Sequence, residues 1–207
     1  MSIYNQTEME SLGVTNVGWG VCGFTSSFYA MYDQDHSARP QIINATQAYR
    51  VLAEIKTYLR MLQSENSPLL KDITTFTQSF GGKFSNFSIN AYIEEINKAA
   101  AQNLSTQQIV KDSKFGIAMP PAAVADYLKR MWQKNTNIAE GVASSLTNSG
   151  IVGVSKSAFS TQEPYHGLKH YLYYKNGTLY SWGNTYNSVQ QAMDGSAWKV
   201  VYVISIV

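Results

Sequence analysis

An α+β fold is predicted for this chain of 207 residues, and three observations predict it. Apolar residues recur at helical spacing through the first two-thirds of the sequence. From Gly150 onward the period shortens to that of strands. The strand-like segments follow the helical ones instead of alternating with them, which points to an antiparallel sheet. No internal repeat or low-complexity linker interrupts the chain. Residues 1–207 therefore read as a single domain, with 33–149 as a helical region and 150–207 as the sheet.

Each element has its own justification. Phe24, Phe28 and Tyr32 recur at i, i+4 and i+8 and mark a short helix that begins close to Cys22. Asp33 to Pro40 reads as a loop. Asn44 with Gln47 forms a capping-box-like start, and Val51, Ile55, Tyr58, Leu59 and Leu62 keep the helical period to about Gln63. Ser67-Pro68 opens a second helix carrying Leu69, Ile73 and Phe76, and Gly81-Gly82 ends it. Ser88 caps a third, with Tyr92, Ile93 and Ile96 on one side, and Ser105 with Gln108 caps a shorter one. Pro120-Pro121 suits the first turn of a helix whose stripe is Val124, Leu128 and Met131. Asn137 with Glu140 marks one more helix start.

Ile151-Val152-Gly153-Val154 then reads as a buried strand. A β-hairpin runs from His170 through Lys175-Asn176-Gly177 to Trp182. Asn187 to Gly195 is a short capped helix. Ala197 to Val207 is a long strand, apolar on both parities and so expected in the centre of the sheet.

Composition removes several function classes. The chain is 44% hydrophobic and 14% charged, with a net charge of +2 and scattered Lys and Arg. Neither a nucleic-acid groove nor a polybasic membrane patch is indicated. No apolar stretch approaches the roughly 20 residues of a bilayer span. The N-terminal ten residues include Glu8 and Glu10 and no apolar run, so no secretory signal is read and synthesis in the cytoplasm is expected. One cysteine, Cys22, excludes an internal disulfide and a thiolate zinc site. His166 and His170 have the i, i+4 spacing of helical zinc ligands. Gly167 occupies the place of the glutamate that metalloproteases use, and no third ligand is near. Ser26-Ser27 lacks the G-x-S-x-G elbow, and no phosphate-cradling glycine loop is present. No metal or organic cofactor is expected.

Cys22 carries the chemistry. It follows the glycine-punctuated Asn16-Val17-Gly18-Trp19-Gly20-Val21 and precedes the first helix. A thiol at a helix N-terminus meets unpaired N–H groups, which favour the reactive thiolate. A thiol hydrolase also needs a base, a group orienting that base, and donors for the oxyanion. His36 falls in a loop, which leaves His166 and His170. His170 is preferred because it begins a strand, a rigid element that holds an imidazole accurately. Asn184 is the candidate orienter. A three-residue loop at Lys175-Asn176-Gly177 would put it on the His170 face, one diagonal step along. A two-residue Asn176-Gly177 turn would start it on the opposite face unless Gly183 bends the chain. The Cys22 N–H and the Asn16 amide are the oxyanion donors, and Trp19, Gly20 and Trp182 are the substrate-binding candidates.

At these residues the chain resembles the papain-like cysteine peptidase superfamily, in particular compact bacterial branches such as bacteriocin-processing peptidases and YopT-like effector proteases. That superfamily places an amide residue six positions before a cysteine that heads a helix. A histidine on a later strand follows, and then an Asp or Asn. Asn16, Cys22, His170 and Asn184 stand in that order here, although Asn16 replaces the usual Gln and Asn184 the Asp of many bacterial members. The resemblance implies a papain-like core in which the nucleophile helix packs on the C-terminal sheet, with 33–149 as a helical elaboration. It implies hydrolysis or deamidation of a peptide or side-chain amide, or peptidoglycan amidase activity, by an effector or toxin exported by dedicated secretion machinery. The partner would be a protein or peptide substrate. A non-catalytic protein-interaction module is the reading of a different class.

Overall fold

The computed structural model describes residues 20–34, 48–141, 146, 149–156, 160, 162–181 and 184–207. Among these, six helices come first: α1 (Cys22–Gln34), α2 (Ala48–Ser64), α3 (Leu69–Gln78), α4 (Ile89–Ala101), α5 (Thr106–Lys111) and α6 (Pro121–Trp132). Then follow β1 (Thr136–Glu140), β2 (Gly150–Ser155), β3 (Leu168–Lys175), β4 (Thr178–Ser181), β5 (Asn184–Tyr186), α7 (Val189–Ala192) and β6 (Lys199–Ile206). The fold is α+β.

Local chemistry sets most helix ends. Ser88 accepts from the Ala91 N–H at the head of α4, and Ser105 and Gln108 form a reciprocal capping box on α5. Pro121 occupies the first turn of α6, where a missing N–H costs nothing. Ser188 caps α7 by accepting from Gln191. The start expected at Asn44 lies outside the described residues. Phe24 of α1 meets Tyr127 of α6 and Tyr58 of α2 edge to face, with centroids 4.8 and 6.2 Å apart, and the two tyrosines meet at 5.4 Å. This aromatic triad pins α1 to two helices of the middle region, adding roughly 0.5–1.5 kcal/mol per pair beyond burial.

The sheet order is β1-β6-β2-β3-β4-β5, every neighbouring pair being antiparallel. β6 lies inside the sheet between β1 and β2, as its two-sided apolar pattern predicts. One correction concerns Asn137 to Glu140. These residues do not start a helix. They form β1, paired from Thr136 opposite Ile206 to Glu140 opposite Tyr202. The Asn-to-Glu spacing is a local signal, and the open edge of β6 outweighs it by offering a full row of backbone partners. Gln133, left-handed at φ 56°, ends α6 and turns the chain toward that edge.

Side-chain alternation divides the core. Ile151, Tyr171, Tyr173, Val201 and Ile204 face the layer of α1, α2 and α6. Val152, Val154, Leu172, Leu179 and Val200 face α7. Gly150 starts β2 against the backbone of β6, where an added Cβ would lie 2.7 Å from the Ile204 carbonyl oxygen. Main chain cannot yield as a flexible side chain can. Gly150→Ala is therefore expected to lower stability by roughly 1–3 kcal/mol, measured by urea unfolding.

Candidate active site

The loop before α1 is held from outside. Gly20 is left-handed at φ 71°, its carbonyl accepts from the Ile117 N–H at 3.0 Å, and a Cβ on it would lie 3.4 Å from Gly116 Cα. The Val21 carbonyl then accepts from Phe24 and Thr25, each at 3.0 Å, which opens the helix at Cys22. Residues 116–120 thus run beside the loop that precedes Cys22. Ala118 donates its N–H to Thr77 Oγ1 at 3.0 Å, and the Tyr171 hydroxyl donates to the Met119 carbonyl at 3.0 Å. Met119 also packs against Gly23, where a Cβ would lie 3.1 Å from its own. The middle region, unassigned by sequence reasoning, builds one wall of the site.

The backbone N–H groups of Tyr171, Gly23 and Cys22 itself act on the Cys22 thiol. These favour a thiolate, as a helix N-terminus should. Burial works the other way and is the larger effect, pushing the thiol from 9.0 up to about 11. The resting site therefore holds a neutral thiol, contrary to the lowered value that helix position alone predicts. Alkylation by iodoacetamide is expected to be slow at neutral pH and to rise toward a midpoint near 11. A midpoint below 9.0 would show that the amides outweigh burial.

The Tyr171 amide matters for a second reason, since it belongs to the residue after His170. Sheet N–H groups point sideways, within the plane of the sheet. On that side of β3 the ladder to β4 covers Tyr173 to Lys175, opposite Tyr180 to Thr178. Directly opposite Val154, His170 turns its side chain to the α7 face, 5% exposed, with Nε2 2.8 Å from Ser181 Oγ. Burial lowers its imidazole from 6.5 to about 3, so the ring is neutral.

The β3–β4 turn is the two-residue form, with Asn176 at φ 49° and Gly177 at φ 83°. The three-residue loop considered from sequence is not formed. Asn184 nevertheless reaches the His170 face, because β4 and β5 pair Ser181 directly with Asn184. Cross-strand partners share a face, and Ser181 is the residue that touches the imidazole. Asn184 is exposed, whereas Ser181 is 3% exposed.

His166 is held differently. Tyr165, His166 and Gly167 are left-handed in succession, at φ 51°, 55° and 72°, a strained run for two bulky residues. Nδ1 of His166 lies 3.2 Å from the Ser160 carbonyl, and Nε2 contacts the Glu140 carboxylate. Its ring lies 5.7 Å from that of Tyr202. Both ring nitrogens thus face acceptors, which leaves neither in place to take a proton from a thiol. His166 and His170 also lie on different elements with separate partners.

Of the other sequence candidates, Gly20 is exposed at the mouth of the loop, while Asn16, Trp19, His36, Trp182 and Gly183 lie outside the described residues. Sequence reasoning missed Ser181 and the Gly116–Pro120 wall. The signal for Ser181 was a polar residue two positions from Leu179 on an inward strand face. Nothing local marks the wall, because its contacts are long-range. No protein-family model, curated protein or solved structure matches the chain.

Proposed function

We propose that the chain is a thiol hydrolase with a papain-like core, cleaving or deamidating a peptide or side-chain amide, with Cys22 as nucleophile and His170 as base. One observation carries the reading: backbone N–H groups, that of Tyr171 first among them, favour the ionised form of Cys22, and Tyr171 follows the only buried histidine among the described residues, whose ring lies on the α7 face. Nε2 of His170 is engaged by Ser181, so Nδ1, the ring nitrogen nearer the main chain, is the one turned to account. Ser181 and Asn184 orient the ring from one face, and the wall at Gly116–Pro120 holds the nucleophile loop from the other.

The raised thiol and the lowered imidazole support one order of events. With the thiol near 11 and the imidazole near 3, an ion pair is far from populated at rest. Proton transfer must accompany bond formation. As Sγ attacks the carbonyl carbon, its proton has to pass to His170 across β3, because the ring stands on the α7 face and α1 packs on the opposite one, and the Cys22 and Gly23 N–H groups are released to the developing oxyanion. His170 then gives that proton to the leaving amine or ammonia, which leaves a thioester on Cys22. Water, deprotonated by the same imidazole, hydrolyses it and restores the thiol.

Three parallel assays test the reading: new termini in an unfolded protein pool, ammonia from glutamine-containing peptides, and amines released from peptidoglycan. Turnover in one assay that stops on alkylation of Cys22 supports a hydrolase and names its class; a peptidoglycan response selects the amidase. No turnover in any assay, or turnover indifferent to alkylation, overturns it. The non-catalytic alternative is favoured by the neutral state of both groups and by the burial of His170, and it predicts that silence.

A further inference from the structure

On one side the sheet ends at β1, with β6 as its neighbour and no strand beyond it among the described residues. Two hydrogen bonds fix which backbone groups of β1 face inward. The Gly141 N–H donates to the Val201 carbonyl and the Val207 N–H to that of Asn135, each at 3.0 Å. Both pairs fit the register that sets Thr136 opposite Ile206, so Asn137 and Ala139 are the residues that bond to β6. The N–H and C=O groups of Thr136, Ile138 and Glu140 therefore point out of the sheet, and no described residue bonds to them. Beyond β1, Leu146 accepts at its carbonyl from the Tyr174 hydroxyl of β3 and packs on the α7 face, over the interior of the sheet and not past its edge.

Native sheets blunt their edges with very short strands, bulges, charges or prolines. The opposite edge, β5, is only three residues long. β1 has five, pairs with β6 without a bulge, and contains neither Lys nor Pro. Its one charge, Glu140, stands at its last position and contacts His166. At its centre Ile138, a large apolar side chain, is 42% exposed.

We propose that β1 pairs with β1 of a second copy of this chain, antiparallel and about a two-fold axis through Ile138. The register selects this occupant, because the outward groups are spaced symmetrically about Ile138. In that arrangement Thr136 faces Glu140 of the partner subunit, and Ile138 faces its own counterpart. Each copy then donates three hydrogen bonds from Thr136, Ile138 and Glu140 and accepts three in return, so no outward group is left over. No like charges stand opposite each other, and the two Ile138 side chains cover one another. A shift by one residue sets outward groups against inward ones, and a shift by two separates the isoleucines. The contact is the same patch on both copies, so it closes at a dimer. β6 and β2 lie between β1 and β3, which leaves His170 and Ser181 uncovered. The pairing needs no thiol and stands apart from the hydrolase reading.

Sedimentation velocity of the full chain, from about 1 to about 500 µM, follows the association, the range suiting a small interface. A shift from monomer to dimer with rising concentration is expected, without larger species. Ile138→Lys sets two ammonium groups across the axis, and Ile138→Pro removes an outward N–H that the sheet does not use. Each should weaken dimerisation at least ~10-fold, with little change in the urea midpoint. Cross-linking in a glutathione buffer, in the Cys22→Ala background, reads the register. Ile138→Cys lies on the axis, where directly paired Cα atoms are about 5.5 Å apart and within disulfide reach. Thr136→Cys lies four residues along the strand from its own counterpart, roughly 14 Å and out of reach. At least ~10-fold more covalent dimer is expected from Ile138→Cys than from Thr136→Cys. A monomer at every concentration, parental dimerisation in either Ile138→Lys or Ile138→Pro, or equal cross-linking at the two positions would overturn the proposal.

Discussion

Cys22→Ala is expected to lower turnover by at least ~10⁴-fold while leaving the fold intact. The size follows from the role: without the sulfur there is no covalent intermediate, and backbone donors with binding alone give only a small residue of catalysis. The fold should tolerate the change because α1 is anchored elsewhere. Phe24 and Phe28 are buried, and the aromatic triad and the Gly20–Ile117 hydrogen bond do not involve the sulfur. Steady-state rates and urea unfolding on the same preparation check both halves. Retained turnover would remove Cys22 from the chemistry, and an unfolded variant would assign it to packing.

The second large effect concerns acid stability and rests on His170. In the folded chain burial holds the ring neutral down to about 3, whereas the unfolded chain takes up a proton near 6.5. Between those values the unfolded state binds more protons, so stability falls as the pH drops. The contribution is fully present above 6.5 and is lost progressively toward about 3, on the order of 5 kcal/mol over the whole interval. His170→Gln removes the titration and keeps an amide for Ser181. Between about pH 7 and pH 4 the parent should lose roughly 3 kcal/mol more than this variant in urea unfolding. Parallel losses would mean that His170 is solvated and protonated in the folded state.

Much of the architecture was legible because its signals are local. Ser88, Ser105 with Gln108, and Pro121 each satisfy or remove a backbone donor at a helix start, and the chain begins helices there whatever lies beyond. The change of period at Gly150 likewise marks β2. The same local logic failed at Asn137–Glu140, where the strand is made by the distant edge of β6. Strand β5 was too short to show a period of its own. At the site, helix position marked Cys22 as the sulfur to follow. It could not give the balance between amides and burial, since the Tyr171 amide and the Met119 side chain that packs on Gly23 both lie more than 90 residues away in sequence. The Ser181 contact with His170 depends on which turn forms at Asn176-Gly177, and the sequence permits two.

The most direct measurement is mass spectrometry of the chain after brief exposure to a short peptidyl p-nitrophenyl ester at neutral pH. A thiol–imidazole partnership predicts an acyl adduct on the peptide containing Cys22, formed with a burst of nitrophenol and suppressed at least ~10²-fold in His170→Ala. No adduct at Cys22, or acylation at the same rate without His170, would contradict the pairing on which the account rests.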